Sequence, residues 1–432
     1  MDKNPIPVLY FTNSFVRGGT EEHMPSGLAE ADIDSATLRK LIYEAALREF
    51  TVAFGDRLRA VISTGSVARN EASFLRRENS FVVCGDAEFL VVFKKNTVLP
   101  AIAALGEIRQ RIERNLLQQN IQCKIDLSAV HPGYFTRLPA HIFSYELKHC
   151  GRVIAGDERI LHTIPDYSPK DLSREDAWRL LCNRLVEMLE CAVELSREEK
   201  KPSIALRYKI VKLYLDMGAS FLVFQKAFVP TYRERCKTLL RFAAETPDNT
   251  AFPLDLQKFA ELVAKCTEQK MLPGASDQRS TELPWQAAIQ SARALWRWEL
   301  IQLVGASEEL TDSELFDRWI CRQPFHKSIR GWLYVARACG WQRSHIVLLR
   351  WLNLRKTSPR HWIYLIASSL LFQMSADVNS SATRGQDGSL SMLSSYLPVR
   401  RVAATNCISP SWEGLADDVV WSYQQFLIGT RA

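Results

Sequence analysis

The sequence predicts an α+β first domain followed by mainly α-helical domains, and three observations carry that reading. Between about residues 36 and 165, stretches with apolar residues at three- and four-residue steps alternate with short apolar runs, as helices interleaved with strands do. After Pro165 only the helical spacing persists. At 432 residues the chain also exceeds what one hydrophobic core serves, and it divides in sequence order into domains at 1–165, 166–270 and 271–432.

Residues 1–35 carry Pro, Gly and acidic residues without a sustained period and read as an arm packed on the first domain. From an N-cap at Ser35, the positions Leu38, Leu41, Ile42, Ala45, Ala46 and Phe50 define a helix. Arg59 to Ser63 is a strand, turned by Gly65-Ser66 into a helix near Val67. A second strand begins around Asp86 and runs through the apolar Phe89 to Phe93. Pro100 opens a helix whose one face is Ile102, Leu105, Ile108, Ile112 and Leu116, and Ile121 to Val130 is the next strand.

In the second domain, a helix capped at Ser173 carries a stripe from Trp178 through Leu185 to Ala192, and Ser203 to Lys226 continues the pattern. Lys209, Lys212 and Asp216 on that second helix read as a solvated face. Thr267 to Pro284 has the Pro, Gly and polar residues of a linker, and Ser375 to Ser395 those of a surface loop. Trp362 to Met374 is apolar but too short to span a bilayer, so it reads as a buried helix.

Composition restricts the function classes. With 47% hydrophobic and 24% charged residues the chain is an ordinary soluble globular protein. Asp2 and Lys3 precede only a brief apolar patch, Ile6 to Phe11, so no secretory signal is expected and a cytoplasmic location is. Ten cysteines without a C-x-x-C pair read as reduced residues, and the histidines lack zinc-site spacing. The net charge of +7 is concentrated: 318–360 holds ten Lys/Arg and no Asp/Glu, which leaves the remainder at −3. That segment is a candidate surface for an anionic partner, nucleic acid or a membrane. Trp319, Trp332, Trp341, Trp351 and Trp362 lie among its arginines, but the helical spacing of Ile363, Ile366, Ala367 and Leu370 makes core packing the better reading for them.

The chemistry is read from carboxylates. In Cys84-Gly85-Asp86-Ala87-Glu88-Phe89 two acids stand two residues apart at the head of an apolar strand, so both side chains point the same way. Like charges in an apolar setting repel unless a cation neutralises them. Asp126 lies inside another apolar strand, and if the strands are neighbours three carboxylates converge. Oxygen-only ligands suit Mg²⁺ or Mn²⁺. Gly65-Ser66, at a strand-to-helix turn, offers close backbone approach to a triphosphate.

The run Gly65-Ser66-Val67-Ala68-Arg69-Asn70-Glu71 resembles the Gly-Ser-x-Ala-Arg-Gly-Glu opening of the minimal and aminoglycoside-type enzymes in the DNA polymerase β-like nucleotidyltransferase superfamily. Asp86 and Glu88 match their acidic pair and Asp126 their third acid. Two departures are the long interval from Ser66 to Asp86, with an insert at 74–83 that either forms an extra loop over the nucleotide or marks a pocket that no longer works, and Asn70 in place of glycine. The resemblance covers roughly 36–165, and more loosely the helices to about 245. It implies a mixed β-sheet with flanking helices and transfer of an NMP group from an NTP to an acceptor hydroxyl, with pyrophosphate leaving. By it, Asp86, Glu88 and Asp126 hold two Mg²⁺ ions (Mn²⁺ as substitute), Asp126 takes the hydroxyl proton, Gly65 and Ser66 hold phosphates, and Arg69 offers a further phosphate contact, although a surface ion pair is the better reading of that arginine. The alternative is a catalytically silent protein of the same fold that senses a nucleotide or binds a partner.

Overall fold

A computed structural model describes residues 34–197, 204–246, 252–272, 284–340, 344–376, 386–399 and 411–431. The arm at 1–33, Trp341, Cys407, residues 273–283 of the expected linker and residues 377–385 of the expected surface loop lie outside the described residues. The chain forms two compact units that are discontinuous in sequence. The first takes the chain up to Leu172, then Phe228–Thr238, then a segment from Ala264; the second takes the rest.

The first unit is α+β. Helix α1 (Ser35–Phe54) is capped by Asp34, one residue before the serine expected, because an ionised carboxylate is the stronger acceptor: its Oδ1 receives the Thr37 N–H at 2.7 Å. Strand β1 (Leu58–Thr64) leads into the single turn α2 (Gly65–Ala68). Then come β2 (Phe74–Arg77), β3 (Ser80–Phe93), α3 (Ile102–Leu117), β4 (Ile121–Val130), α4 (Ile142–Cys150) and β5 (Arg152–Gly156). The sheet is mixed: β3 pairs antiparallel with β2 and β1, β1 antiparallel with β5, and β4 parallel with β3. The parallel pair is the one whose connection carries a helix, α3, long enough for the crossover.

The insert at 74–83 is a hairpin rather than the expected loop, with Phe74 opposite Val83 and Arg77 opposite Ser80. Its second half extends β3 toward the N-terminus, which accounts for the long interval before Asp86.

Side-chain alternation along β3 sorts the sheet into two faces. Ala87, Phe89, Val91 and Phe93 pack with α1 and α3 residues such as Ile42, Phe50 and Ile112. Leu90 and Val92 pack on the other side with Ile62, Val130, Phe135 and Leu147.

The second unit is helical. It is assembled from α5 (Arg174–Arg197), α6 (Ile204–Phe224), the later part of α7 (Tyr232–Glu245), the earlier part of α8 (Leu256–Met271), α9 (Trp285–Val304), α10 (Asp312–Cys321), α11 (Phe325–Cys339), α12 (Ser344–Leu354), α13 (Pro359–Ala376), α14 (Gln386–Ser395) and α15 (Trp412–Arg431). Trp178 on α5 centres an aromatic cluster with Trp296, Phe316, Trp319 and Tyr364. Trp319, Trp332 and Trp362 are buried, as the helical spacing predicts, and Trp351 is half-buried. Asn183 Oδ1 accepts from Arg360, Tyr364 and Tyr423, tying α5, α13 and α15 together.

The structure departs from the sequence pattern at three further places. Thr267–Met271 is the end of α8 rather than linker, and Lys270 within it is buried. Residues 386–395 form α14 because Leu390 and Leu393, three apart, find a core. Lys209, Lys212 and Asp216 are buried, not solvated. Arg184 on α5 holds Asp216 at 2.7 Å, and Glu190 lies 3.4 Å from Lys209 Nζ, so these charges enter the interior with partners. Among the described residues no helix is long and apolar enough to cross a membrane.

Candidate active site

The three acids predicted from the sequence occupy one face of the sheet. Asp86 and Glu88 share the β3 face of Leu90 and Val92, and Asp126 shares the β4 face of Val130. The parallel register sets Glu88 directly against Asp126, and Asp86 against Lys124. Asp86 and Asp126 are buried, and Glu88 is half-buried. Burial and the neighbouring charge of Asp126 push the Glu88 carboxyl up to about 8, with Arg69 pulling the other way and Asp86 adding to the rise.

The glycine-serine turn lies against this cluster. Thr64, the last residue of β1, is paired in register with Glu88, and Gly65 follows with φ +70°, a left-handed conformation open to glycine. A Cβ at Gly65 would fall 2.5 Å from Glu88 Oε1, closer than real contacts allow. The Glu88 carboxylate thus lies against the turn, and a side chain at position 65 would push this flexible group aside. Asn70, which stands where the resembled motif has glycine, has φ 60°, and asparagine is among the few residues that tolerate this region.

A Gly65→Ala protein is expected to lose about 1–3 kcal/mol of stability from strain and collision together. Part of the loss should return in the Gly65→Ala/Glu88→Ala double variant, which removes the collision but not the strain. Melting curves of the four proteins would test this, and strict additivity would mean the two residues do not meet.

Arg69 is placed differently from the phosphate contact that the resemblance implies. Its guanidinium is buried, 3.2 Å from Glu71 Oε2 and 2.6 Å from Glu146 Oε2, and it stacks over the Tyr232 ring. Arg235 pairs with the other oxygen of Glu146. Glu71 also accepts the N–H groups of Tyr232 and Arg233 at 3.1 Å each, satisfying the first turn of α7. Lys270 donates to the Glu71 carbonyl at 3.2 Å and to Ser73 Oγ at 2.9 Å, and Ser73 donates to the Lys270 carbonyl. This network of two arginines, two glutamates and a lysine clamps the segment just after the Gly65-Ser66 turn. Glu71 was visible in the motif; Glu146, Arg235 and Lys270 carry no local signal.

The donors on the acidic face are all oxygen, the set that a hard divalent cation takes, and a cation there would offset the repulsion that raises Glu88. Among the described residues no three His, Cys, Asp or Glu side chains are already gathered in a metal-holding arrangement. No protein-family model matches the chain, and no curated protein matches it in sequence.

Proposed function

We propose that the chain is a Mg²⁺-dependent nucleotidyltransferase that transfers an NMP group from an NTP to an acceptor hydroxyl. The observation that carries the reading is the register pair Glu88 and Asp126, with Asp86 on the same face and the Gly65 turn abutting Glu88. Asp86, Glu88 and Asp126 would hold the cation, and Mg²⁺ or Mn²⁺, when bound, supplies neutralisation of the phosphate charge. Asp126 accepts the acceptor's hydroxyl proton as its oxygen bonds to the α-phosphorus and the bond to pyrophosphate breaks. Backbone groups at Gly65 and Ser66 receive the terminal phosphates. Arg69 works in this reading through the clamp, holding the turn by way of Glu71 and Glu146.

One observation favours a second reading, a nucleotide-binding protein without catalysis: Lys124 stands opposite Asp86 on the same face, where a base can take the place of a cation. The experiment is pyrophosphate release by the full chain with each common NTP, Mg²⁺ or Mn²⁺ and a panel of hydroxylated acceptors. Release that disappears in Asp86→Ala supports transfer. Release undiminished in that variant would refute the assignment, and NTP binding without release in the unsubstituted chain would point to the silent protein.

A further inference from the structure

We infer that the α11–α12 region of the helical unit is an attachment surface for an anionic lipid membrane. Helix α11 turns Ser328, Gly331, Trp332 and Val335 inward. Yet Phe325, Ile329 and Leu333, at successive four-residue steps along another stripe, are exposed. On α12, which packs against α11, Val347 and Leu354 are buried while Leu348, Leu349 and Leu352 are exposed. Six large apolar side chains on two adjoining helices are more than scattered surface hydrophobes and mark a docking face.

Charge selects the occupant. The segment 318–360 contains ten Lys/Arg and no Asp/Glu, and Arg322, Arg337, Arg355 and Lys356 within it are exposed. A protein partner for the stripe would need a matching acidic rim, and a second copy of this chain would bring the same positive segment against itself. Single-stranded nucleic acid is attracted by such charge but is held by stacking on exposed aromatic rings. Here Trp319, Trp332 and Trp362 are buried, and the exposed side chains are mostly aliphatic. Aliphatic residues flanked by Arg and Lys are what an interface-lying helix offers to anionic lipid headgroups and the acyl chains beneath them. No described helix spans a bilayer, so the attachment is peripheral. The inference does not depend on the proposed chemistry.

The test is flotation of the full chain with phosphatidylcholine vesicles with and without phosphatidylserine. Binding is expected to vesicles containing phosphatidylserine, to weaken with salt, and to fall about tenfold in Ile329→Glu/Leu333→Glu and about tenfold in Arg337→Glu/Arg355→Glu. The altered side chains are exposed, so both proteins should retain their circular dichroism and melting temperature. The inference is overturned by absence of binding to the anionic vesicles at low salt. It is equally overturned by a dimer that the Ile329→Glu/Leu333→Glu change dissociates, which would make a second copy the occupant. Tight binding to single-stranded RNA that the apolar substitutions leave intact, without vesicle binding, would assign the face to nucleic acid.

Discussion

Glu88→Gln is expected to reduce pyrophosphate release by about a hundredfold or more and, at about pH 9, to raise the melting temperature measured without divalent cations. The two effects have one cause. The Glu88 carboxyl is held up at about 8 by burial and by Asp126, so the folded protein keeps its proton where an unfolded chain, titrating near 4.5, has lost it. A carboxyl raised on folding leaves stability unaffected below about 4.5, erodes it as pH rises through the window to about 8, and imposes its full cost above that. Glutamine has the same shape without the charge, so the gain should be absent at about pH 4 and largest near pH 9, on the order of a few kcal/mol. Mg²⁺ should raise the melting temperature of the unsubstituted protein at alkaline pH and leave the variant unmoved. A variant that melts lower at every pH would show that Glu88 is an ordinary structural ion-pair partner of Arg69, and the catalytic assignment would fall with it.

The second large effect is expected at Glu299, in the helical unit. This side chain is completely buried on α9, and neither carboxyl oxygen has a hydrogen-bond partner among the described residues. Burial pushes its carboxyl up to about 8; Ser220 on α6 opposes the rise, but its hydroxyl is also without a partner at hydrogen-bond geometry. Among the described residues no Lys or Arg contributes, so the group is kept neutral by proton uptake rather than by pairing. The sign is that of Glu88: stability is lost as pH rises from about 4.5 to about 8. Glu299→Gln should match the parent at about pH 4 and melt several degrees higher at about pH 9. Because Glu88 titrates over the same window, the measurement is the difference between the two proteins at each pH, which cancels what they share. Destabilisation of the variant across the whole range would mean that the carboxylate meets a cationic partner.

What the sequence disclosed and what it withheld divide along a physical line. Strand alternation alone put Asp86 and Glu88 on one face, because the period of two is local. Helical spacing likewise placed the α1, α3 and α5 stripes, which are buried except at Ile102, exposed at the first turn of α3, and at Leu41 and Leu105, which are half-buried. The opposition of Glu88 to Asp126 required the pairing of β3 with β4, which no single segment encodes. Arg69 shows the same limit: its partner Glu146 lies 77 residues away, and Arg235 meets that glutamate from 89 residues further along. The burial of the α6 charges is hidden from the sequence because Lys209, Lys212 and Asp216 at helical spacing look like a wet face until the opposing helix is known. A clue existed on α5, where Arg184, Glu187 and Glu190 recur every three residues inside an otherwise apolar stripe. Leu390 and Leu393 were hidden by the serines around them, since composition outweighed spacing in a short stretch.

The discontinuity of the first unit governs how this protein can be made. The ribosome releases the sheet strands early, but Glu71 cannot receive the amides of Tyr232 and Arg233 until 161 and 162 further residues have emerged, nor Ser73 the ammonium of Lys270 until 197 have. Throughout that interval the nascent sheet carries polar groups whose counterparts are unborn. Maturation of the glycine-serine bend is thereby tied to completion of α8, and a product cut short near residue 165 would leave the clamp with only its first half.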